Sequence, residues 1–405
     1  MKIAIIGAGF TGLTLAYRLS QKGHKIVIVE AENKAGGLAV GFNKKEWKWT
    51  LEKHYHHLFT NDKSILGLAK ELKQKIITVR PKTSTFYKDN IYQIDSPLAL
   101  LKFAKLTFFS RIRTGVVLLI LKLSPFLKLH QNITSEKFLI SFMGQESWKV
   151  LWKPLFIKKF HEDYRKISFV WFWARIKKRT PSLCYPEGGF QKFADRIVEN
   201  LNSNGAEIYF SELFNSFEKK DNKFLVKTSK RKFKVDKIIN TQPLKDTGIK
   251  MIGAVNLVLE LKKPFFQDNT YWLNVNEESF PFLAIVEHTN FMNKKYYNKA
   301  NLVYIGNYVD KESKLYNMNI NEILKIYMPY LIKVNPAFNS KMILGKYLFK
   351  APFAQQIVSK GYYKKIPPFV SKVDGIYNAN IQQVYPWDRG TNYAVEIGNI
   401  VSELL

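Results

Sequence analysis

Residues 2–30, KIAIIGAGFTGLTLAYRLSQKGHKIVIVE, decide the fold of this chain. Residues 2–6 form an apolar run that ends at glycine, residues 13–22 repeat apolar side chains at helical spacing, and residues 25–29 form a second apolar run. This pattern predicts a strand, a helix and a second strand that pair as a parallel βαβ unit.

The turn between the first strand and the helix follows the pattern G-x-G-x-x-G. Its residues are Gly7, Ala8, Gly9, Phe10, Thr11 and Gly12. The first glycine permits a tight turn, the second lets the backbone approach a pyrophosphate, and the third lets the helix pack close to the sheet. Because a helix N-terminus also offers free N–H groups to phosphates, the turn predicts a dinucleotide site.

Glu30 stands at the end of the second predicted strand, 18 positions after Gly12. A carboxylate there accepts hydrogen bonds from an adenosine ribose and repels a 2′-phosphate, which disfavours NADP as the ligand. The alternative is a glycine-rich turn followed by a glutamate that only faces solvent.

A second glycine-rich segment, residues 32–38, follows Glu30. A cation followed by paired glycines lets a second loop close over a pyrophosphate and ribityl chain, which a plain NAD dehydrogenase does not require. With the first turn, this segment resembles the fingerprint of the FAD family that includes amine oxidases, phytoene desaturases, protoporphyrinogen oxidases and UDP-galactopyranose mutases. The resemblance implies FAD as the cofactor and places these residues against it: Lys34, Gly36, Gly37 and Leu38.

Residues 375–394, GIYNANIQQVYPWDRGTNYA, resemble the C-terminal flavin segment of protoporphyrinogen-oxidase-like proteins. The match gives Asn380 the ribityl-phosphate position, where many relatives have an aspartate. It places the start of the last helix at the flavin, where N–H groups and the helix dipole stabilise negative charge on the reduced ring. The residues implied there are Arg389, Gly390, Thr391 and Asn392. The alternative is an ordinary loop and helix cap.

The middle of the chain also resembles this family, in residues 148–160, 169–179, 185–190 and 351–355. The resemblance further implies a strand whose backbone meets adenine near residues 213–217. The predicted fold is α/β, with a discontinuous Rossmann-like FAD-binding domain of the glutathione-reductase type and an inserted α+β substrate domain. The FAD-binding domain would comprise residues 1–80, 181–253 and 345–405, and the substrate domain residues 81–180 and 254–344.

Apolar patterning predicts further elements along the chain. Helical character dominates residues 98–129 and 138–157, and strand patterns occur at residues 207–210, 223–227 and 237–239. A strand-rich block over residues 254–308 precedes a helix at 321–333. The chain closes with a strand at 375–379 and a helix at 391–404, which we expect to complete the N-terminal parallel sheet.

Three of the seven histidines, His54, His56 and His57, lie within four residues. Metal binding is disfavoured, because no carboxylate or cysteine stands at a recognisable ligand spacing. The segment resembles the histidine-bearing segment near the flavin of UDP-galactopyranose mutase. On an extended backbone, His54 and His56 would face one side and Tyr55 and His57 the other. One pair would then line the substrate site as acid/base or hydrogen-bonding groups, the alternative being histidines buried in the core beneath the flavin.

Composition bears on the partners and the cellular location that we expect for the protein. Lys and Arg total 63 against 33 Asp and Glu, so the formal net charge of +30 favours an anionic partner or reflects a solvated basic background. No groove-reading module accompanies the charge, so we expect no nucleic-acid binding. The single cysteine, Cys184, permits no intrachain disulfide, and no secretory signal is evident, which together predict a cytoplasmic protein.

Residues 98–129 mix apolar residues with lysines and arginines. A basic amphipathic helix pair of this kind lies in a bilayer interface, on the cytoplasmic face, or forms the core of the substrate domain with its lysines reaching solvent. The second interpretation is the preferred one here. The longest uncharged apolar run, residues 115–121, is too short to span a bilayer.

The leading functional hypothesis is an FAD-dependent oxidoreductase that takes hydride from a small molecule, lipid-soluble or a nucleotide sugar, onto flavin N5. The first alternative is a non-redox UDP-sugar mutase that uses reduced FAD as a covalent nucleophile. A second alternative is a membrane-associated binding protein that holds FAD structurally. The electron acceptor and the oligomeric state stay open at this stage.

Overall fold

The computed structural model describes residues 1–125 and 131–405. The predicted βαβ unit is confirmed as strand Lys2–Ile6, helix Phe10–Gln21 and strand Lys25–Val29. The helix begins earlier than the apolar periodicity indicates, because residues of the glycine turn form its first turn and Gly9 is its N-cap.

The N-terminal sheet has five strands, and every neighbouring pair is parallel. In spatial order its strands are Glu207–Tyr209, Lys25–Val29, Lys2–Ile6, Lys237–Asn240 and Ile376–Asn378. The last strand confirms that the C-terminal segment completes the N-terminal sheet. Its central strands are apolar on both faces, because helices pack on one face and the three-stranded sheet of residues 214–235 packs on the other.

Helices Phe10–Gln21 and Thr391–Ser402 pack closely on this sheet. A glycine allows the approach, since a Cβ atom at Gly398 would lie 2.8 Å from the Cβ of Thr14. The N-terminal and C-terminal segments of the chain are therefore held together by direct helix packing.

A second sheet of seven strands is mostly antiparallel. In spatial order its strands are Ile343–Gln356, Met251–Leu261, Asn301–Val309, Ala284–Glu287, Thr270–Val275, Lys82–Tyr87 and Asn90–Gln93. Its first strand runs through the domain boundary predicted at residue 345 and pairs along Met251–Leu261. The predicted division into two domains stays a prediction.

Short strands and a third sheet complete the β-structure. A three-stranded antiparallel sheet comprises Phe214–Lys220, Lys223–Thr228 and Lys232–Val235. The remaining strands are Gly41–Phe42, Leu51–Glu52, Leu58–Phe59, Ile76–Val79 and Leu183–Pro186. The remaining longer helices are Lys63–Glu71, Phe108–Leu123, Ser135–Met143, Lys153–Phe160, Phe169–Lys178, Phe190–Ser203 and Ile320–Val334.

The helix pair predicted over residues 98–129 forms as Pro97–Lys102 and Phe108–Leu123, while residues 126–129 lie outside the described residues. The preferred interpretation of this region as domain core is wrong for most of the longer helix, which buries only Thr114 and Leu121. Most of its apolar side chains face outwards, while its arginines bind carbonyl oxygens of neighbouring segments. Within residues 1–125 and 131–405, no helix is long and apolar enough to cross a bilayer.

Candidate functional site

A first cavity of about 310 Å³ lies at the carboxyl ends of the central parallel strands. This is the edge at which open α/β sheets bind their ligands. The structure gathers twelve of the predicted cofactor residues in its lining: Gly7, Gly9, Phe10, Thr11, Glu30, Gly36, Gly37, Leu38, Asn380, Arg389, Gly390 and Thr391. Phe214, from the stretch predicted to meet adenine, also lines it.

Two glycines of the first turn are required by the fold itself. Gly7 has a φ of +107°, and a Cβ atom on it would lie 2.4 Å from Oγ1 of Thr241, whose hydroxyl donates to the carbonyl of Ile6. A Cβ atom on Gly12 would lie 2.0 Å from the carbonyl oxygen of Gly7. Gly12 therefore lets the helix start against the strand, as predicted.

The remaining glycines let two loops pack against each other through their backbones, beside the first cavity. Gly9 and Gly36 form a parallel bridge, and a Cβ atom on Gly37 would lie 3.0 Å from the Cα of Gly9. Side chains at these positions would crowd this contact and the adjoining cavity, where the sequence predicts a pyrophosphate. The backbone geometry therefore fits the predicted second loop.

Glu30 joins the two loops at the end of its strand. One carboxylate oxygen accepts from the N–H of Ala8 at 2.6 Å and the other accepts from the N–H of Glu32 at 2.9 Å. Each oxygen keeps further lone pairs for a ligand in the cavity. This geometry suits the ribose hydroxyls that the sequence predicts as its partners.

The donors of the first cavity suit an anionic cofactor. Helices Phe10–Gln21 and Thr391–Ser402 both begin at glycine N-caps that line the cavity, so no capping side chain accepts from their first N–H groups. The buried Nδ2 of Asn380 has no hydrogen-bond partner among the described residues. Such an orphan donor fits a ribityl-phosphate oxygen, so the residues present fit FAD.

Four predicted cofactor residues do not line the first cavity. Ala8 and Gly12 act through the backbone beside it, and Lys34 is exposed. Asn392 lines a different cavity, and its side-chain oxygen accepts from the N–H groups of Ser64 and Ile65 at the start of another helix. Cofactor roles for these residues stay predictions.

A second cavity of about 300 Å³ adjoins the first. The two cavities share four lining residues, which are His56, Arg389, Gly390 and Thr391. The second cavity lies between residues 55–62, the seven-stranded sheet, helix Phe169–Lys178 and the C-terminal residues 388–393, and aromatic side chains such as Trp171 and Trp272 line it. A ligand in one cavity can therefore contact a ligand in the other at the shared wall.

The histidine segment reaches the shared wall but not in the expected alternation. Residues 53 and 54 bend, so Tyr55, His56 and His57 all line the second cavity while His54 lines neither. His54 accepts through Nδ1 from the side-chain amide of Asn256. Among the described residues, no three histidine, cysteine or acidic side chains are grouped as ligands for a metal.

His56 is held in one tautomer. Its Nδ1 lies 2.6 Å from the carbonyl oxygen of His54, which only accepts, so Nδ1 carries the proton and Nε2 is left with a free lone pair. Burial, assisted by the charge of Arg389, lowers the pKa of His56 to about 4, although the hydrogen bond to His54 opposes this shift. His56 is therefore a neutral imidazole that can accept a proton.

A buried ionic cluster supports the shared wall. The Asp388 carboxylate binds Arg175 at 2.6 Å and the Trp171 indole N–H at 2.9 Å, and Lys159 lies 3.9 Å away. Burial alone would raise the pKa of Asp388, but the three neighbouring cations, Arg389 included, hold it below its ordinary range. Burial also lowers the pKa of Lys159, against the attraction of Asp388.

Next to this cluster, Arg389 is fixed by two further bonds. Its guanidinium donates to Oε1 of Gln355 at 3.0 Å and to the hydroxyl of Tyr308. Burial opposes its charge, whereas Tyr308 and Asp388 raise the pKa of Arg389, so it stays a cation. The shared wall therefore carries a fixed positive charge beside a neutral histidine.

Sequence reasoning did not single out Lys159, Arg175, Tyr308 or Asp388 as site residues. Asp388 stood within the quoted C-terminal segment, and Lys159 and Arg175 within stretches that resemble the family. These apolar stretches together carry both acidic and basic residues, and buried charges need partners of opposite sign. This is the one signal in the sequence that pointed towards the charged residues of the cluster. Nothing in the sequence indicated which cation would meet which carboxylate.

The comparisons with known proteins agree with this geometry. The sequence profile of the family described as flavin-containing amine oxidoreductase matches residues 10–379. A short stretch is 54% identical over 37 residues to a 4,4′-diapophytoene desaturase of Staphylococcus aureus (strain Newman), covering 9% of this chain and 7% of that protein. Another is 39% identical over 46 residues to an L-amino-acid oxidase of Crotalus adamanteus, covering 11% and 9%. These curated relatives are thus matched over about a tenth of their length or less.

Solved structures match the whole fold at low identity. A protein of Exiguobacterium sp. 255-15, assigned as a protoporphyrinogen oxidase, superposes with a TM-score of 0.78 at 14% identity, covering 100% of this chain and 98% of that one. Cyclohexylamine oxidase of Brevibacterium oxydans IH-35A gives 0.75 at 12%, covering 100% and 98%. Reduced UDP-galactopyranose mutase gives 0.74 at 17%, covering 100% and 96%.

The likeness to these structures confirms the predicted α/β fold. The profile match over most of the chain shows the family, and the predictions of that family and of FAD as its cofactor are both confirmed. This chain belongs to the flavin-containing amine oxidoreductases, a family of FAD-dependent oxidoreductases.

Proposed function

We propose that the protein is an enzyme that removes hydride from a small molecule bound in the second cavity. The observation that carries the proposal is the wall shared by the two cavities, formed by His56, Arg389, Gly390 and Thr391. FAD, when bound, supplies an N5 atom that accepts hydride. A substrate in the second cavity is held close to that wall, which supplies the proximity that such a transfer needs.

Two residues of the wall have roles in this proposal. The free Nε2 of His56 accepts the proton that an N–H or C–H group of the substrate releases as its neighbouring C–H bond loses hydride. The Arg389 cation stabilises negative charge at the wall. The aromatic side chains of the second cavity, among them Trp171 and Trp272, orient an apolar substrate and exclude water.

The test is anaerobic reduction of the FAD-loaded protein. We expect one compound of a panel of decylamine, protoporphyrinogen and phytoene, extended by an unbiased metabolite library, to bleach the visible flavin absorbance and leave as an oxidised product. The variant His56→Asn should lower the reduction rate at least about tenfold, the scale of general-base catalysis. The matched control His24→Asn, at the far N-terminal surface, should leave the rate unchanged.

Two outcomes would favour the alternatives. A requirement for prior reduction by dithionite, with isomerised sugar nucleotide and no net redox change, would favour a mutase. Folded, FAD-loaded protein that no compound reduces would favour a binding protein. Either result would contradict the proposal.

We also propose that helices Pro97–Lys102 and Phe108–Leu123 contact a lipid surface. Their large apolar side chains point outwards, with Phe109 75% and Leu123 70% exposed. The other members of this outward face are Leu98, Leu101, Phe108, Ile112, Val116, Leu119 and Ile120. An apolar face of this size marks an interaction surface, and the net charge of +30 is complementary to anionic lipid. On the cytoplasmic face of a membrane it would give a lipophilic substrate a short path to the protein.

Vesicle sedimentation tests the lipid contact. The protein should sediment with vesicles that contain phosphatidylglycerol, and the double variant Phe109→Ser/Leu119→Ser should stay in the supernatant. Leu344→Ser, at a 52% exposed leucine on the seven-stranded sheet, is the control. Equal sedimentation of the double variant and the Leu344→Ser control would contradict the lipid contact. If the protein is instead a dimer that the double variant dissociates, the apolar face binds a second copy of this chain.

A further inference from the structure

We propose that the second cavity selects substrates that carry an anionic group, a carboxylate or a phosphate, which Arg179 binds. The proposal rests on the function proposed above, because it names the chemical class of molecule that enters the same cavity. It concerns the end of helix Phe169–Lys178 and not the wall shared with the first cavity.

Cationic side chains outnumber acidic ones in the lining of this cavity. The cations are Lys159, Arg175, Lys178, Arg179 and Arg389. The carboxylates are Asp62 and Asp388. Even without Lys159, the four remaining lysine and arginine side chains outnumber the two carboxylates. The field inside a low-dielectric cleft of one sign attracts the opposite charge.

Most of these charges are already satisfied. Asp388 pairs with Arg175, and Asp62 accepts from the N–H of Phe59 at 2.8 Å. Burial raises the pKa of Asp62 to about 6, so it is still mostly ionised at neutral pH. Lys178 lies over the ring of Trp387 at 4.5 Å. Among the described residues, neither carboxylate pairs with Arg179, which directly follows the helix.

Arg179 is the cation without a partner. Across residues 1–125 and 131–405, its guanidinium has no hydrogen bond or ion pair, and only its backbone is bonded, to Arg175 and to the Lys122 side chain. The surrounding protein and the repulsion of Arg175 lower the pKa of Arg179 to about 10 against the attraction of Asp95, which still leaves it charged at neutral pH. Arg179 lines the cavity at a position that is exposed to solvent, so a ligand can reach its guanidinium.

A ligand anion would relieve this arrangement. Arg175 and Arg179 stand one helical turn apart and line the same cavity. The single carboxylate between these arginines and the shared wall is Asp388, which pairs with Arg175. An arginine fork matches a carboxylate or phosphate with two parallel hydrogen bonds. The apolar walls of Trp152, Phe156 and Phe172 then cover the rest of the molecule. A bare alkylammonium, in contrast, meets repulsion at this end of the cavity.

Calorimetric titration of the FAD-loaded protein tests the inference without turnover. The probes are benzoate, phenyl phosphate and benzylammonium, which share a ring and differ in the charged group. We expect at least one anion to bind and benzylammonium to bind at least tenfold more weakly. The tighter of the two anions identifies the group that the substrate carries.

Three variants locate the binding group. Arg179→Met should weaken binding of the preferred anion at least tenfold, and Arg179→Lys should recover part of the affinity. Arg165→Met is the matched control, because Arg165 is 72% exposed and lies outside the cavity. FAD content and circular dichroism should be unchanged in all three.

Two results would overturn the inference. These are benzylammonium binding as tightly as the anions, and Arg179→Met binding with the affinity of the unaltered protein. Both leave flavin reduction by a substrate intact, so they would not touch the proposed oxidoreductase. Failure of every compound to reduce the flavin, with anion binding that Arg179→Met abolishes, would refute the enzyme and keep the anion site.

Discussion

The first and second cavities share a wall but are built from different materials. Glycines, backbone N–H groups and helix N-termini line much of the first cavity, and Glu30 is its one acidic side chain. The second cavity is lined by bulky aromatic and cationic side chains that come from the seven-stranded sheet, the helical region and the C-terminal segment. A backbone cradle suits a cofactor of fixed shape, whereas a side-chain cavity can change with the substrate.

The largest effect that sharpens this comparison is expected from Asp388, which holds the second cavity together. Asp388→Asn leaves the buried Lys159 and the partly exposed Arg175 without their counter-ion. Breaking a buried ion pair costs about 3–5 kcal/mol, which is an upper bound here because the Arg175 side chain is 43% exposed. Urea denaturation of the protein should show that loss in the free energy of unfolding. The control Asp374→Asn removes an exposed carboxylate from a 3.9 Å pair and should change nothing measurable.

An unchanged urea midpoint for Asp388→Asn would contradict this account of the ionic cluster. It would mean that the side-chain charges around Asp388 do not stabilise the second cavity.

The second prediction concerns Glu52, which ties the histidine segment to helix Phe190–Ser203. Its carboxyl accepts from the Tyr185 hydroxyl at 2.7 Å and from the N–H of Phe190 at 2.8 Å. Burial raises its pKa from an ordinary 4.5 to about 7, although both bonds oppose the rise. A raised folded-state pKa stabilises the fold fully below pH 4.5, and the contribution is lost as pH rises through 7.

The measurement is the free energy of unfolding of the protein and of Glu52→Gln between pH 4.5 and 8.5. Relative to the variant, the unaltered protein should lose about 3 kcal/mol across this range. The difference between the two proteins removes the titration of other buried groups, such as Glu287 and the histidines. Parallel pH profiles would show that the Glu52 carboxyl is ionised in the folded protein.

A third prediction separates two glycines of one turn. Gly12→Ala places a methyl group 2.0 Å from the Gly7 carbonyl, so it should destabilise the protein by about 2 kcal/mol. Gly9→Ala meets nothing closer than the Cα of Gly37 at 3.7 Å, and the φ of Gly9 is −71°, which alanine adopts freely. That variant should fold normally and bind FAD at least about tenfold more weakly, because its methyl group would enter the first cavity.

Unfolding curves and FAD titrations of both variants check the contrast. Normal FAD affinity in Gly9→Ala would break the claim that backbone surfaces form the first cavity.

The smallest effect is expected from the acidic side chain of the first cavity. Glu30→Gln keeps one acceptor but loses the charge that binds the Ala8 N–H and is proposed to bind the ribose. The dissociation constant for FAD should rise about threefold, since a hydrogen bond to a charged group is worth about 1.5–3 kcal/mol and an amide keeps most of it. A change as large as that of Gly9→Ala would show that side chains matter here as much as backbone.

The sequence allowed good prediction of the first cavity because its signals are local. The spacing of Gly7, Gly9, Gly12 and Glu30 belongs to one βαβ unit, and the distant partner Asn380 was implied by resemblance to a known segment. The second cavity was not predictable in this way. Asp388 and its partner Arg175 meet only because helix Phe169–Lys178 packs against the C-terminal loop, and no local pattern encodes that contact.

The histidine segment shows a second limit. Periodicity predicted alternating faces, but a bend at residues 53 and 54 changes which side chains reach the cavity. In the helix Phe108–Leu123, the apolar pattern predicted side chains buried in the domain core. Such a pattern does not show whether the apolar face is covered by the protein itself or by another surface.

The central claim is that one FAD molecule runs through the first cavity and meets the substrate at the shared wall. A crystal structure of the FAD-loaded protein tests it most directly. We predict the pyrophosphate beside the backbone of Gly9 and Gly37 and the isoalloxazine ring beside His56 and Arg389. A bound flavin whose ring lies away from both of those residues would contradict the account.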